Sequence, residues 1–184
     1  MPSPRPGAAK TGPLPAARRQ ALRHAMATAL AASLLVAGCT GYAPQNLPAG
    51  ASLAQVTEQL GPATGRYPLP GGGARLEYAR GPFGKHTFMV DMDAGGSVLG
   101  WQQVLTEKNF DTVLDGMRQD ELLLKLGRPS QRRGGGWQGG EVWSYRYDAI
   151  FCQWFQVSMI DGVVRAPAYG PDPICEVIER ELVE

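Results

Sequence analysis

The sequence predicts an α+β protein of two tandem repeats, each made of short helices packed on one face of a small antiparallel sheet, after a cleaved N-terminal signal. Three observations carry this prediction. A glycine-bounded helical motif recurs 66 residues further on, alternating strands with glycine turns follow each copy, and a basic then apolar segment precedes both.

The segment comes first. Arg5, Lys10, Arg18, Arg19 and Arg23 are its charges, with no acidic residue, and thirteen uncharged residues follow at 25–37. A basic region, a short apolar run and small residues at its end describe a secretory signal. Thirteen residues are too few to cross a hydrocarbon core, which needs roughly 20. The run ends in Val36-Ala37-Gly38-Cys39. This ending resembles the bacterial lipobox, which implies cleavage before Cys39 and acyl chains on its sulfur and amino group. An ordinary signal peptide with an incidental cysteine is the alternative. Thr40, in place of Asp, implies by the same resemblance the outer membrane and not the inner. Residues 1–38 are therefore expected to be lost, and Cys39 to be the lipid attachment site.

What remains is 146 residues with a formal net charge of −4. A mildly acidic, mixed-sign surface gives no footprint for nucleic acid. Two cysteines are left, Cys152 and Cys175. In an oxidising compartment an even remainder favours a disulfide, against two unpaired buried thiols.

Residues 39–48 are polar and contain two prolines, and predict a tether from lipid to folded body. The first repeat is expected over 49–108. Ser52 and Gln55 form a capping box, and Val56 and Leu60 share one helical face. Gly61 suits the residue past a helix end, with Pro62 behind it. Strands follow at 74–79 and 87–92, with turns at 71–73 and 95–96.

The second repeat is expected over 109–170. Leu122, Leu123 and Leu126 occupy the equivalent helical face, and Gly127 its end. Arg118 stands where Ser52 stood, so the helix start is weaker, with Asp115 as a substitute cap. Strands are predicted at 141–147 and 152–160, with turns at 139–140 and 161–162. Alternation puts Trp143, Tyr145, Phe155, Val157 and Met159 toward the helix, and Ser144, Arg146, Cys152, Trp154 and Gln156 on the other face. That second face of each sheet is expected either to be open to solvent or a partner, or to be covered by the C-terminal helix or the other repeat. Residues 171–184 predict a C-terminal helix, with Asp172 as its cap and Pro173 in its first turn.

The pattern carried by Gly50, Val56, Leu60, Gly61 and Pro62, then Tyr78, Phe88 and Val90, returns as Gly116, Leu122, Leu126, Gly127 and Pro129, then Trp143, Tyr145, Phe155 and Val157. It resembles the SmpA/OmlA (BamE-like) lipoprotein domain. The resemblance implies a helical pair against a three-stranded antiparallel sheet, and a link to the outer-membrane β-barrel assembly machinery. The tandem arrangement is also similar to β-lactamase inhibitor proteins, whose paired units grip another protein.

Enzymatic chemistry finds no constellation in the sequence. His86 is the one histidine left after cleavage, and it is read as a surface residue without a nucleophile or acid beside it. Asp91 and Asp93 before Gly95-Gly96 lack the further oxygen ligands of a calcium loop and read as a strand-ending turn. The glycine clusters at 71–73 and 134–136 are not followed by Lys-Ser/Thr, as a phosphate loop requires. No cofactor, metal site, catalytic residue or small-molecule substrate is expected. Trp101, Trp137 and Trp154 are the candidate partner-binding residues, since tryptophan is enriched at interface hot spots. The expected function is a non-catalytic, lipid-anchored outer-membrane protein facing the periplasm, an accessory or scaffold in outer-membrane protein assembly or envelope integrity. Its partners are the membrane, through the lipid, and other envelope proteins. The alternative is a tandem-repeat inhibitor or binding module for a periplasmic enzyme.

Overall fold

Ser52 begins helix α1, Leu53–Leu60, through both halves of its capping box: Gln55 N–H donates to Ser52 Oγ at 3.4 Å, and Ser52 N–H to Gln55 Oε1 at 2.8 Å. The computed structural model describes residues 42–80, 84–135 and 139–175. The signal segment, Cys39, Trp137 and most of the expected C-terminal helix lie outside them. Among the described residues no helix is long and apolar enough to cross a membrane.

After α1 come strands β1, Gly65–Pro68; β2, Ala74–Arg80; β3, His86–Met92; and β4, Val98–Gln103. The short helix α2, Glu107–Phe110, leads to α3, Gln119–Leu126. Strands β5, Gln131–Gly134; β6, Glu141–Arg146; β7, Gln153–Ile160; and β8, Val163–Pro171, complete the chain. Two four-stranded antiparallel sheets result, ordered β1-β2-β3-β4 and β5-β6-β7-β8. The fold is α+β with two repeats. The sequence pointed to β2, β3, β6 and β7. It left out β1, β4, β5 and β8, which carry glycines, prolines or arginines. All four are edge strands, where such residues are tolerated because one side of the backbone needs no partner.

The repetition extends to individual hydrogen bonds. Gly50 N–H donates to Val98 O and Gly116 N–H to Val164 O, and Val98 and Val164 donate back to Ala51 O and Met117 O, all at 2.8 Å. Helices α1 and α3 begin 66 residues apart, as do β1 and β5, whereas β2 and β6 begin 67 apart. The facing pairs Met92 with Val98 and Met159 with Val164 return the offset to 66. The second copy therefore has one residue more in its first turn and one fewer in its last. Insertion and deletion both fall in hairpins, where they leave the strand pairing intact.

Asp115 does not cap α3. It accepts from Arg165 Nη1 and from Ala166 N–H, both at 3.0 Å, and so holds Ala166 at φ 47° beside the bulge of β8. Helix α3 keeps half a capping box, Arg118 N–H donating to Glu121 Oε2 at 3.1 Å.

Apolar side chains gather in two clusters. The first joins Val56 and Leu60 of α1 to Leu76, Tyr78, Phe88, Val90, Met92 and Val98. Leu47 is buried in it at 6% exposure, and Ala43 packs against it. The expected tether is thus part of the body from about residue 43, because its apolar side chains gain more from burial than from solvent. The second cluster joins Phe110 of α2 and Leu122 and Leu126 of α3 to Trp143, Tyr145, Phe155, Val157 and Met159. It also contains Met89, from the other face of the first sheet. That face is therefore not open. The repeats share it, which is why β3 is buried almost continuously and does not alternate.

Candidate interaction surface

The shared face is built around polar groups as well as Met89. Glu77 has no exposed surface. It accepts from the Tyr67 hydroxyl, from Thr64 Oγ1 at 3.2 Å and from Arg128 N–H at 3.3 Å. Arg75 binds both oxygens of Asp91, at 2.6 and 2.7 Å, and donates to Leu124 O at the end of α3 at 2.9 Å. Sequence reading missed Glu77. Its signal is a carboxylate between Leu76 and Tyr78 in an otherwise apolar strand, and only packing distinguishes that from a solvent-facing position.

His86 departs from the surface role expected of it. Its Nε2 lies 2.6 Å from Asp148 Oδ2, in the loop between β6 and β7, and its Nδ1 lies 2.5 Å from the Tyr42 hydroxyl. Tyr42 comes from the chain ahead of the first repeat and Asp148 from the second. A tyrosine, a histidine and an aspartate in line have the outline of a relay. A nucleophilic tyrosine would need its proton loosened. Burial first, and the Asp148 charge second, push the Tyr42 phenol up from its ordinary value, so it holds that proton more tightly. The arrangement suits a clasp joining three parts of the chain.

Trp101 lies on edge strand β4 and is 38% exposed. It meets Phe88 edge to face at 6.0 Å; Phe88 stacks with His86 at 6.3 Å, and Tyr42 stands edge-on to both. These four rings form a continuous aromatic strip along the first sheet, and Leu99 on the same edge strand is also exposed.

Trp154 lies off the second core, as alternation predicts, yet is only 5% exposed. The Arg146 guanidinium sits 5.3 Å over its ring, and Asp172 holds that guanidinium at 2.6 Å. Trp154 is therefore not a bare hot spot. It forms one wall of a cavity of about 260 Å³, lined also by Gln131, Arg133, Val142, Ser144 and Gln156. Trp137, like Cys39, lies outside the described residues. Cys152 and Cys175 have Cα atoms 6.2 Å apart, a separation that a disulfide spans. Asp172 accepts from Ile174 N–H at 3.1 Å and caps the turn that begins at Pro173.

The turn reading of 93–96 agrees with its geometry, Asp93 Oδ1 accepting from Ser97 N–H at 2.8 Å. The described residues contain no cluster of three or more potential metal ligands. The aromatic strip and the polar cavity can hold a protein surface through stacking, apolar contact and hydrogen bonds. No protein-family model, curated protein or solved structure gives a significant match to this chain.

Proposed function

We propose that this chain is a non-catalytic lipoprotein of the outer membrane, facing the periplasm, that serves as an accessory or scaffold factor in outer-membrane protein assembly or envelope integrity. In this reading it consists of two SmpA/OmlA (BamE-like) repeats, each a sheet with helices laid on one face, behind a lipoprotein signal removed before Cys39. The observation that carries it is Val36-Ala37-Gly38-Cys39 at the end of a short apolar run. It is supported by a repeated α+β body in which Leu47 is already part of the first core, so a folded module begins within a few residues of the lipid.

Partners would meet the exposed Trp101 end of the aromatic strip, with Leu99 on the same edge strand, and the outer face of the second sheet. The face between the repeats, filled by Met89 and Glu77, is unavailable to them. Affinity purification of the full chain from detergent-solubilised envelopes tests the reading. Recovery of β-barrel assembly subunits, weakened several-fold by Trp101→Ala, is the expected result. Recovery of one soluble hydrolase and no assembly subunit would instead make the chain a tandem-repeat inhibitor or binding module. A processed, membrane-bound Cys39→Ala variant would refute the lipid anchor.

A further inference from the structure

Ile150 and Phe151 are consecutive and 96% and 74% exposed, at the tip of the loop between β6 and β7. Two large apolar side chains projecting together into water mark a contact surface. The loop that carries them is secured on both sides. Asp148 binds His86 at 2.6 Å, and Ala149 packs on the second core. On the far side Gln153 N–H donates to Phe151 O at 2.8 Å, and Asp172 N–H to Cys152 O at 3.2 Å. A loop held this way presents its tip in a fixed direction.

That tip lies close to where the chain leaves for its N-terminus. His86, which holds Asp148, also holds Tyr42. Tyr42 is three residues after Cys39. Three residues reach ~11 Å at most, so an acylated Cys39 brings this end of the body to the bilayer surface.

We infer that Ile150 and Phe151 insert into the bilayer surface beside the lipid anchor and fix the orientation of the body on the membrane. This rests on the lipoprotein reading above. The occupant is lipid because the anchor places membrane within reach of the tip, whatever else the envelope offers. Tyr42, 47% exposed and joined to this loop through His86 and Asp148, is at home at the boundary between headgroups and water. A flexible lipid anchor alone leaves the body free to tumble about it. A second apolar contact removes that freedom and decides which faces point to the periplasm.

The test uses the full chain, exported and processed, carrying Ile150→Cys labelled with an environment-sensitive fluorophore. It is reconstituted in phosphatidylethanolamine–phosphatidylglycerol vesicles. The reference label is Ala94→Cys, in the turn at the opposite end of β3, about 20 Å away by strand rise. Phe151→Cys repeats the measurement from the neighbouring position, so that one poorly folded variant does not decide the outcome. Lipid-borne doxyl groups are expected to quench the label at 150 at least threefold more than the label at 94, and aqueous iodide to do the reverse. Equal iodide access at 150 and 94, in protein that still needs Cys39 to partition with membrane, would overturn the insertion and spare the anchor. Shielding from iodide without quenching from lipid would mean a protein contact and would also overturn it. Partitioning unchanged by Cys39→Ala would remove the anchor itself.

Discussion

Glu77 of the first repeat accepts the backbone N–H of Arg128, two residues past the end of α3 in the second, at 3.3 Å. Through that bond and the Tyr67 hydroxyl, a carboxylate without exposed surface becomes part of the joint between two copies of one fold. Glu77→Ala leaves the Tyr67 hydroxyl and the Arg128 N–H without their acceptor. A donor left unpaired away from water costs about 1–3 kcal/mol, and Tyr67 is half-buried while Arg128 is an exposed residue. Denaturant unfolding should show a loss of about 1–3 kcal/mol for Glu77→Ala and a smaller one for Tyr67→Phe. Equal stability of Glu77→Ala and wild type would mean the joint does not depend on this group.

Gly127 and Gly116 separate backbone strain from packing. Both have positive φ, 76° and 86°. An added Cβ meets nothing within 4 Å at Gly116, but lies 3.0 Å from the Glu77 carboxylate and from Met89 Cε at Gly127. Gly116→Ala should cost about 1–2 kcal/mol, the penalty of a left-handed alanine. Gly127→Ala should cost clearly more, because it pushes the repeats apart as well. Parallel denaturation curves for the two variants check the ordering, and the reverse ordering would count against a close joint.

Cys152 and Cys175 are 23 residues apart, and closing a loop of that length stabilises by about 3 kcal/mol in the chain-entropy model. The exported protein should take up no thiol label at these positions without reductant and two labels after reduction. The Cys152→Ala/Cys175→Ala pair should lose about 3 kcal/mol. Labelling of both cysteines in unreduced protein would rule the bridge out.

Alkaline pH should unfold the protein through its buried phenols. Burial pushes Tyr145 well above its ordinary value of 10.0, and burial together with the hydrogen bond to Glu77 does the same for Tyr67. The folded state holds these protons more tightly than the unfolded chain does. Their contribution is therefore fully present below about pH 10 and is lost as pH rises through the folded-state values. Phenolate absorbance should rise later than for a free phenol, with Tyr67 and Tyr145 titrating only as folded structure is lost by circular dichroism. A single phase near pH 10 with the fold retained would contradict their burial.

Local chemistry along the chain defines the units. Glycines with positive φ, capping residues and period-two alternation act over a few residues, so α1, α3, the four inner strands and their turns were legible from local chemistry. So was the inward set Trp143, Tyr145, Phe155, Val157 and Met159. Tertiary structure alone decided what the units do to one another. Edge strands such as β1 and β5 form because a neighbouring strand supplies their hydrogen bonds, which no local preference encodes. Met89 and Glu77 face the second repeat, and Trp154 lies under Arg146, because burial depends on which distant segment arrives to cover a residue. Tyr42, His86 and Asp148 meet across more than a hundred residues of chain for the same reason. Local patterning fixes which face a side chain takes, and only the assembled chain fixes whether that face meets water or protein.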